Sequence, residues 1–170
     1  HTYNGMSGLH HREPGMVGAA MTTHGTYAEA ICDGHHLNPI AVRALVNAKG
    51  ADHTVLITDC MRAGGMPNGQ YNLGDFPVVV EGGTARLMDD SHSLAGSILR
   101  LFEGVKNVYD WGVVSAEEAV RMASENPARS CGIDDVCGFI RPGYDADFIV
   151  ITKNLQLEET FLGGKSVYKA

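Results

Sequence analysis

Two short apolar runs, TYAEAIC at 26–32 and HTVLIT at 53–58, flank a single helix-forming segment, and this arrangement constrains the fold more than any other feature of the chain. Asn38-Pro39 is a helix start: Asn caps, and Pro takes the first helical position, where its missing N–H costs nothing. Helical spacing follows at Ile40, Leu45 and Val46, and Gly50 ends it. Strand, helix and strand joined by short connections make a βαβ unit, whose strands pair in parallel. Parallel α/β folds place their sites at the carboxyl ends of the strands. Both runs lead into polar chemistry at that end: Asp33, His35 and His36 after the first, Asp59 and Arg62 after the second.

Around this unit the pattern is more varied. Residues 1–15, HTYNGMSGLHHREPG, are polar, glycine-punctuated and rich in His, and read as a loop; GMVGAAMTT at 15–23 suits a short, closely packed helix. Residues 71–89 contain VVV, a Gly-Gly turn and TARLM, which predicts a β-hairpin excursion. Residues 93–112 read as an amphipathic helix with Ile98, Leu101, Phe102 and Val105 on its apolar face. Ser115 and Glu118 form a capping box that opens a helix reaching about Ser124, and Asn126-Pro127 starts another that ends near Gly132. From Gly138 onward the segments are short and β-like, DADFIVIT and ETFLGGKSVYKA. The expected organisation is an α/β part over 1–136, with the hairpin inserted at about 71–89, and a small β part over 137–170.

Composition narrows the function. With 44% apolar and 19% charged residues over 170 positions, the chain is globular and not disordered. A net charge of −7 without a Lys/Arg run leaves no nucleic-acid footprint, although one or two local cations suffice for a phosphorylated small molecule. No apolar stretch approaches the ~18 residues of a membrane span, and no signal peptide pattern is present. Cys32, Cys60, Cys131 and Cys137 form no CxxC pair, and are expected to be reduced thiols of a cytoplasmic protein. The chain opens on His1 with a polar motif already under way, so a longer parent chain is expected.

Candidate chemistry rests on a few side chains. Eight histidines, several in glycine-rich loops, suit a divalent metal that takes neutral imidazole, but no HxH or HExxH spacing is present, and any single loop histidine is equally a solvated side chain. Asp59 at a strand end is either a turn residue or a general base poised in a cleft. Arg12 offers planar bidentate donors for phosphate or carboxylate, and Asn4-Gly5 sets an amide beside a bare backbone N–H that suits anionic oxygens; each also has a bland surface reading.

Taken together, H-T-Y-N-G-M at 1–6, H-H-R-E-P-G at 10–15, D-G-H-H at 33–36, I-T-D-C-M-R-A at 57–63, S-L-A-G-S at 93–97 and G-Y-D-A-D-F-I-V-I at 143–151 resemble the N-acetylglucosamine-6-phosphate deacetylases of the amidohydrolase superfamily, in that family's order and over essentially the whole chain. The resemblance implies the C-terminal part of a metal-dependent hydrolase (β/α)8 TIM barrel, about strands 6–8, plus the C-terminal portion of a small β-sandwich. It implies that His1 is a metal ligand, that Asn4 and the Gly5 backbone hold phosphate, and that Arg12 contacts the sugar phosphate, in some members across a dimer interface. It further implies that His36, not His35, touches substrate, that Asp59 is the catalytic acid/base, and that the Leu94 backbone lines the acetyl pocket. The implied cofactor is divalent zinc or iron, with its other ligands upstream of residue 1. The implied partner is a second copy of the chain in a homodimer. The implied reaction is hydrolysis of N-acetylglucosamine 6-phosphate to glucosamine 6-phosphate and acetate, with the chain alone inactive. The alternatives are an N-acetylgalactosamine-6-phosphate deacetylase, a dihydroorotase-like enzyme, and a non-catalytic sugar-phosphate-binding fragment.

Overall fold

The computed structural model describes residues 1–170. A looped segment precedes helix α1 (Gly15–Thr22), which leads to strand β1 (Ala28–Ile31), helix α2 (Pro39–Lys49) and strand β2 (Thr54–Ile57). β1 and β2 pair in parallel, with Ala28 opposite Thr54 and Ile31 opposite Ile57, as the βαβ reading requires. Asn38 caps α2 by accepting from the Ile40 N–H at 2.9 Å, Pro39 is its first residue, and Gly50 closes it. Ala28, Ala30, Cys32 and Leu56 face a core completed by Val17 and Met21 of α1 and by Val42, Leu45 and Val46 of α2. Ile31 and Val55, on the opposite face by the two-residue period, are buried as well. Burial on both faces is what a parallel strand requires, and each large apolar side chain fully removed from water contributes roughly 1.5–3 kcal/mol.

The segment after β2 departs from expectation. The predicted hairpin is a three-stranded antiparallel meander of β3 (Gly69–Leu73), β4 (Phe76–Glu81) and β5 (Thr84–Leu87). The extra strand, GQYNL, is a polar edge strand with largely exposed side chains, so it carries no hydrophobic alternation to read. The predicted helix over 93–112 is also shorter: α3 is Leu101–Asp110. Residues 93–97 are drawn into sheet pairing instead. Leu87 N donates to Ser93 O and Ala95 N to Ala85 O, both at 2.9 Å, while Ser97 bridges to Cys60. Ile98 therefore packs on the meander's cluster of Met61, Ala63, Val78, Val80, Ala85 and Ala95 and not on a helix face.

Helix α4 (Ala116–Ala123) opens with the expected capping box: Ser115 Oγ accepts from Glu118 N, and Glu118 Oε2 accepts from Ser115 N at 2.8 Å. Val105 and Val108 of α3 and Ala119 and Met122 of α4 close the first core. Helix α5 (Glu125–Cys131) begins before Asn126, which is not its cap. Asn126 is fully buried, and its side-chain amide donates to the carbonyls of Ala51 and Thr54, both at 2.7 Å, tying α5 to the start of β2. Strands β6 (Phe148–Ile151), β7 (Leu157–Leu162) and β8 (Lys165–Lys169) then form an antiparallel sheet, with Phe148 stacked on Phe161 at 4.5 Å. No helix is long and apolar enough to cross a membrane.

Candidate functional site

Four segments run side by side at the carboxyl ends of β1 and β2. Thr2 N donates to Glu29 O at 2.8 Å, which ties the turn over residues 2–5 to the free edge of β1. The β1 extension carries Asp33, His35 and His36; the β2 extension carries Asp59, Cys60 and Arg62. Beyond it, Ser97 brackets the β2 extension: Ser97 N donates to Asp59 O and Met61 N to Ser97 O, both at 2.8 Å. Asp33 and Asp59 stand in equivalent places, each two residues past the last registered pair, Ile31 and Ile57.

Asp59 has φ +48, a left-handed conformation that is uncommon for any residue but glycine and least so for Asp and Asn. Its carboxylate is exposed and makes no hydrogen bond within the chain. The backbone around it is fixed from outside. Ser97, itself buried, donates its hydroxyl to the Thr58 carbonyl and accepts from Leu99 N at 3.1 Å. The importance of Ser97 was not visible in the sequence, where S-L-A-G-S carries no chemistry of its own.

Asp33 and His36 form a tight, nearly buried pair. Asp33 Oδ1 accepts from the backbone N–H groups of His35 and His36, each at 2.8 Å, and Asp33 Oδ2 lies 2.7 Å from His36 Nδ1. Their side chains retain only 10% and 6% of their exposure. Burial pushes the Asp33 carboxyl up, but the hydrogen bonds from His36 and His35 outweigh it and hold the group below the usual carboxylate range. Burial, with Asp33 adjacent, drives the neighbouring Cys32 thiol up to about 12, so it stays protonated and inert. His35 is exposed and its side chain takes no part in the pair. The partner role of Asp33 was missed; the available signal was an Asp three residues before a His in a glycine turn.

The remaining candidates are more dispersed. His1 is exposed, and its Nδ1 sits 2.8 Å from the Asn4 carbonyl, the arrangement that leaves Nε2 for a ligand. Asn4 is half-buried beside Gly5, whose φ is +64. Arg12 lies in an exposed loop with Nη1 2.7 Å from His11 Nε2. Leu94 is half-buried and bridged to Arg86, at the edge of the meander. No three His, Cys, Asp or Glu side chains converge on a point that would hold a metal ion. A catalytic zinc takes about three protein ligands, and residues 1–170 do not bring three such side chains together around His1 or elsewhere.

Comparison with known proteins gives one consistent picture. Residues 16–167 match the model of the amidohydrolase family. An N-acetylglucosamine-6-phosphate deacetylase of Vibrio furnissii is 44% identical over 170 residues, covering 100% of this chain and 42% of the relative. A putative N-acetylgalactosamine-6-phosphate deacetylase of Escherichia coli K12 is 42% identical over 165 residues, covering 97% of each. The crystal structure of N-acetylglucosamine-6-phosphate deacetylase from Thermotoga maritima superposes with a TM-score of 0.91 at 35% identity, over 100% of this chain and 46% of that one. The chain thus spans less than half the length of the Vibrio and Thermotoga proteins, and nearly all of the Escherichia coli one.

Proposed function

The chain belongs to the amidohydrolase family, and on that premise we propose that it carries the C-terminal part of an N-acetylglucosamine-6-phosphate deacetylase. In this reading β1 and β2 are two of about three late strands of a (β/α)8 barrel, residues 1–136 are barrel with the meander inserted, and 137–170 contribute to a β-sandwich. The observation that carries the proposal is the free Asp59 carboxylate, set in register with the Asp33–His36 pair at the carboxyl ends of two parallel strands.

Asp59 takes a proton from the attacking water and returns it to the amine nitrogen as the amide C–N bond breaks, releasing acetate. Asn4, the Gly5 N–H and Arg12 hold the phosphate, His36 contacts the sugar, and the Leu94 backbone borders the acetyl group. Zinc or iron is the expected Lewis acid of such a hydrolase, with His1 among its ligands. Residues 1–170 do not bring three such ligands together. A cytoplasmic homodimer, with Arg12 presented from an exposed loop toward a neighbouring copy, belongs to the same proposal.

Acetate release from N-acetylglucosamine 6-phosphate tests it, in this chain and in a form extended at its N-terminus to the length of the Vibrio relative. Asp59→Asn in the active form should lower kcat by about 10²- to 10⁴-fold with binding kept. Arg12→Ala should raise KM for the phosphorylated sugar by about 10- to 100-fold, as loss of a charge-assisted bond does, and leave the unphosphorylated sugar nearly unaffected. Equal effects on both sugars remove the phosphate role, and silence of the extended wild type removes the substrate assignment. A putative N-acetylgalactosamine-6-phosphate deacetylase is similar at nearly the same identity, 42% against 44%, which keeps the galactosamine epimer as a second reading, so both sugar phosphates belong in the assay.

A further inference from the structure

We infer that Asp33 is a positioning residue that acts through His36: its carboxylate fixes the imidazole with Nδ1 protonated and leaves Nε2 as the ring nitrogen that meets substrate. The two carboxylate oxygens divide the work. Oδ1 is occupied by the backbone N–H groups of His35 and His36, and so shapes the turn. Oδ2 faces only the His36 ring, at 2.7 Å. An ionised carboxylate accepts and never donates, so the ring nitrogen opposite it must carry the hydrogen. Low exposure of both side chains removes water as a competing partner and makes a ring flip, which would turn a C–H toward the carboxylate, costly.

The Asp33 carboxyl is held ionised by the same bonds, against the effect of its burial. The neighbouring Cys32 thiol is protonated and so adds no competing charge. The arrangement resembles the orientation of a functional histidine by a carboxylate on its far nitrogen, here built within one four-residue turn.

The inference rests on the reading of His36 as a substrate contact, and the experiment separates the two. Asp33→Asn keeps an amide oxygen for the turn but sets an NH2 group opposite His36 Nδ1. That nitrogen must then accept, and the hydrogen moves to Nε2. Ring ¹⁵N shifts of His36 should report Nδ1–H in the wild-type chain and Nε2–H in Asp33→Asn. In the form that releases acetate, Asp33→Asn should lower kcat/KM by about 10- to 100-fold, the usual loss when a partner that orients a functional histidine is removed. In a His36→Gln background the same change should cost almost nothing further, because the two residues act as a unit.

An unchanged tautomer in Asp33→Asn overturns the inference. So does an equal cost with and without His36, which would mark Asp33 as a turn residue only. Should neither sugar phosphate be turned over, the functional reading fails, and the ring shifts alone still decide whether Asp33 orders His36.

Discussion

At the scale of single residues, the candidate site carries strain where its chemistry lies. Asp59 holds φ +48 where Ser97 grips the backbone on both sides of it, through the Thr58 carbonyl before it and through Asp59 O and Met61 N after it. Such a conformation costs roughly 1–3 kcal/mol in a non-glycine residue, least in Asp and Asn and most in a β-branched side chain. Asp59→Gly relieves the strain but loosens the unfolded chain, so its stability should stay within about 1 kcal/mol of wild type, while on the proposed function acetate release by the extended form is lost. Asp59→Val should lose about 1–2 kcal/mol at the same site. Urea titration of both variants checks this, and a Val variant as stable as the Gly variant would show that the backbone is not held in place. Asp59 is conspicuous in the sequence because it follows an apolar strand, whereas His36 is set apart from His35 only by the family resemblance. The sequence left Asp33 without a role, since an Asp in a turn is ordinarily there for the backbone.

At the scale of elements, the β2 extension of the site is bracketed by a segment whose pattern reads as helix and which is extended instead. Residues 93–97 run as an extra edge between the meander and the β2 extension, and Gly96 is the hinge of that arrangement. It has φ +66, and a Cβ added there would lie 3.0 Å from Asp59 O and 3.4 Å from Met61 Cβ. Gly96→Ala should therefore cost about 1–2 kcal/mol from the left-handed backbone alone, and should move the Asp59 loop as well. Thermal unfolding reads the first effect, and the Asp59 amide chemical shift reads the second; an Ala variant with neither change would mean that the bracket is slack. The elements defined by local chemistry were legible in advance: α2 from Asn38, Pro39 and Gly50, and α4 from Ser115 and Glu118. Two that are defined by long-range pairing were not. The polar edge strand β3 has no periodicity to detect, and 93–97 owes its shape to partners at 59–61 and 85–87. Asn126 failed for the same reason: its cap-like position conceals a buried side chain serving Ala51 and Thr54.

At the scale of the whole molecule, burial is unevenly divided, and this sets the order in which the parts open. Both buried clusters lie within residues 17–122, built on β1, β2, the helices and the meander. Beyond Gly138, Leu155 is the only buried residue, while Ile140, Leu162 and Val167 are 86%, 61% and 59% exposed. Every side chain of β8 is exposed. Between this C-terminal sheet and helices α3 and α4 lies an apolar gap of about 840 Å³, edged by Phe102, Val120, Phe148 and Phe161, where a tighter contact would otherwise fix the sheet in place. Few buried apolar contacts mean a low free energy of local opening, even where the backbone ladder is complete. The β6–β8 amides should therefore exchange with solvent ahead of those in Thr54–Ile57, which sit in a strand buried on both faces and tied down by Asn126. Native-state hydrogen exchange at increasing denaturant resolves the two. The C-terminal amides should reach their limiting exchange rate below the global unfolding midpoint, and the Thr54–Ile57 amides only at it. Merged protection across both groups would mean that the sheet is locked to the core through the few residues at its base, and that the apolar gap does not weaken the joint.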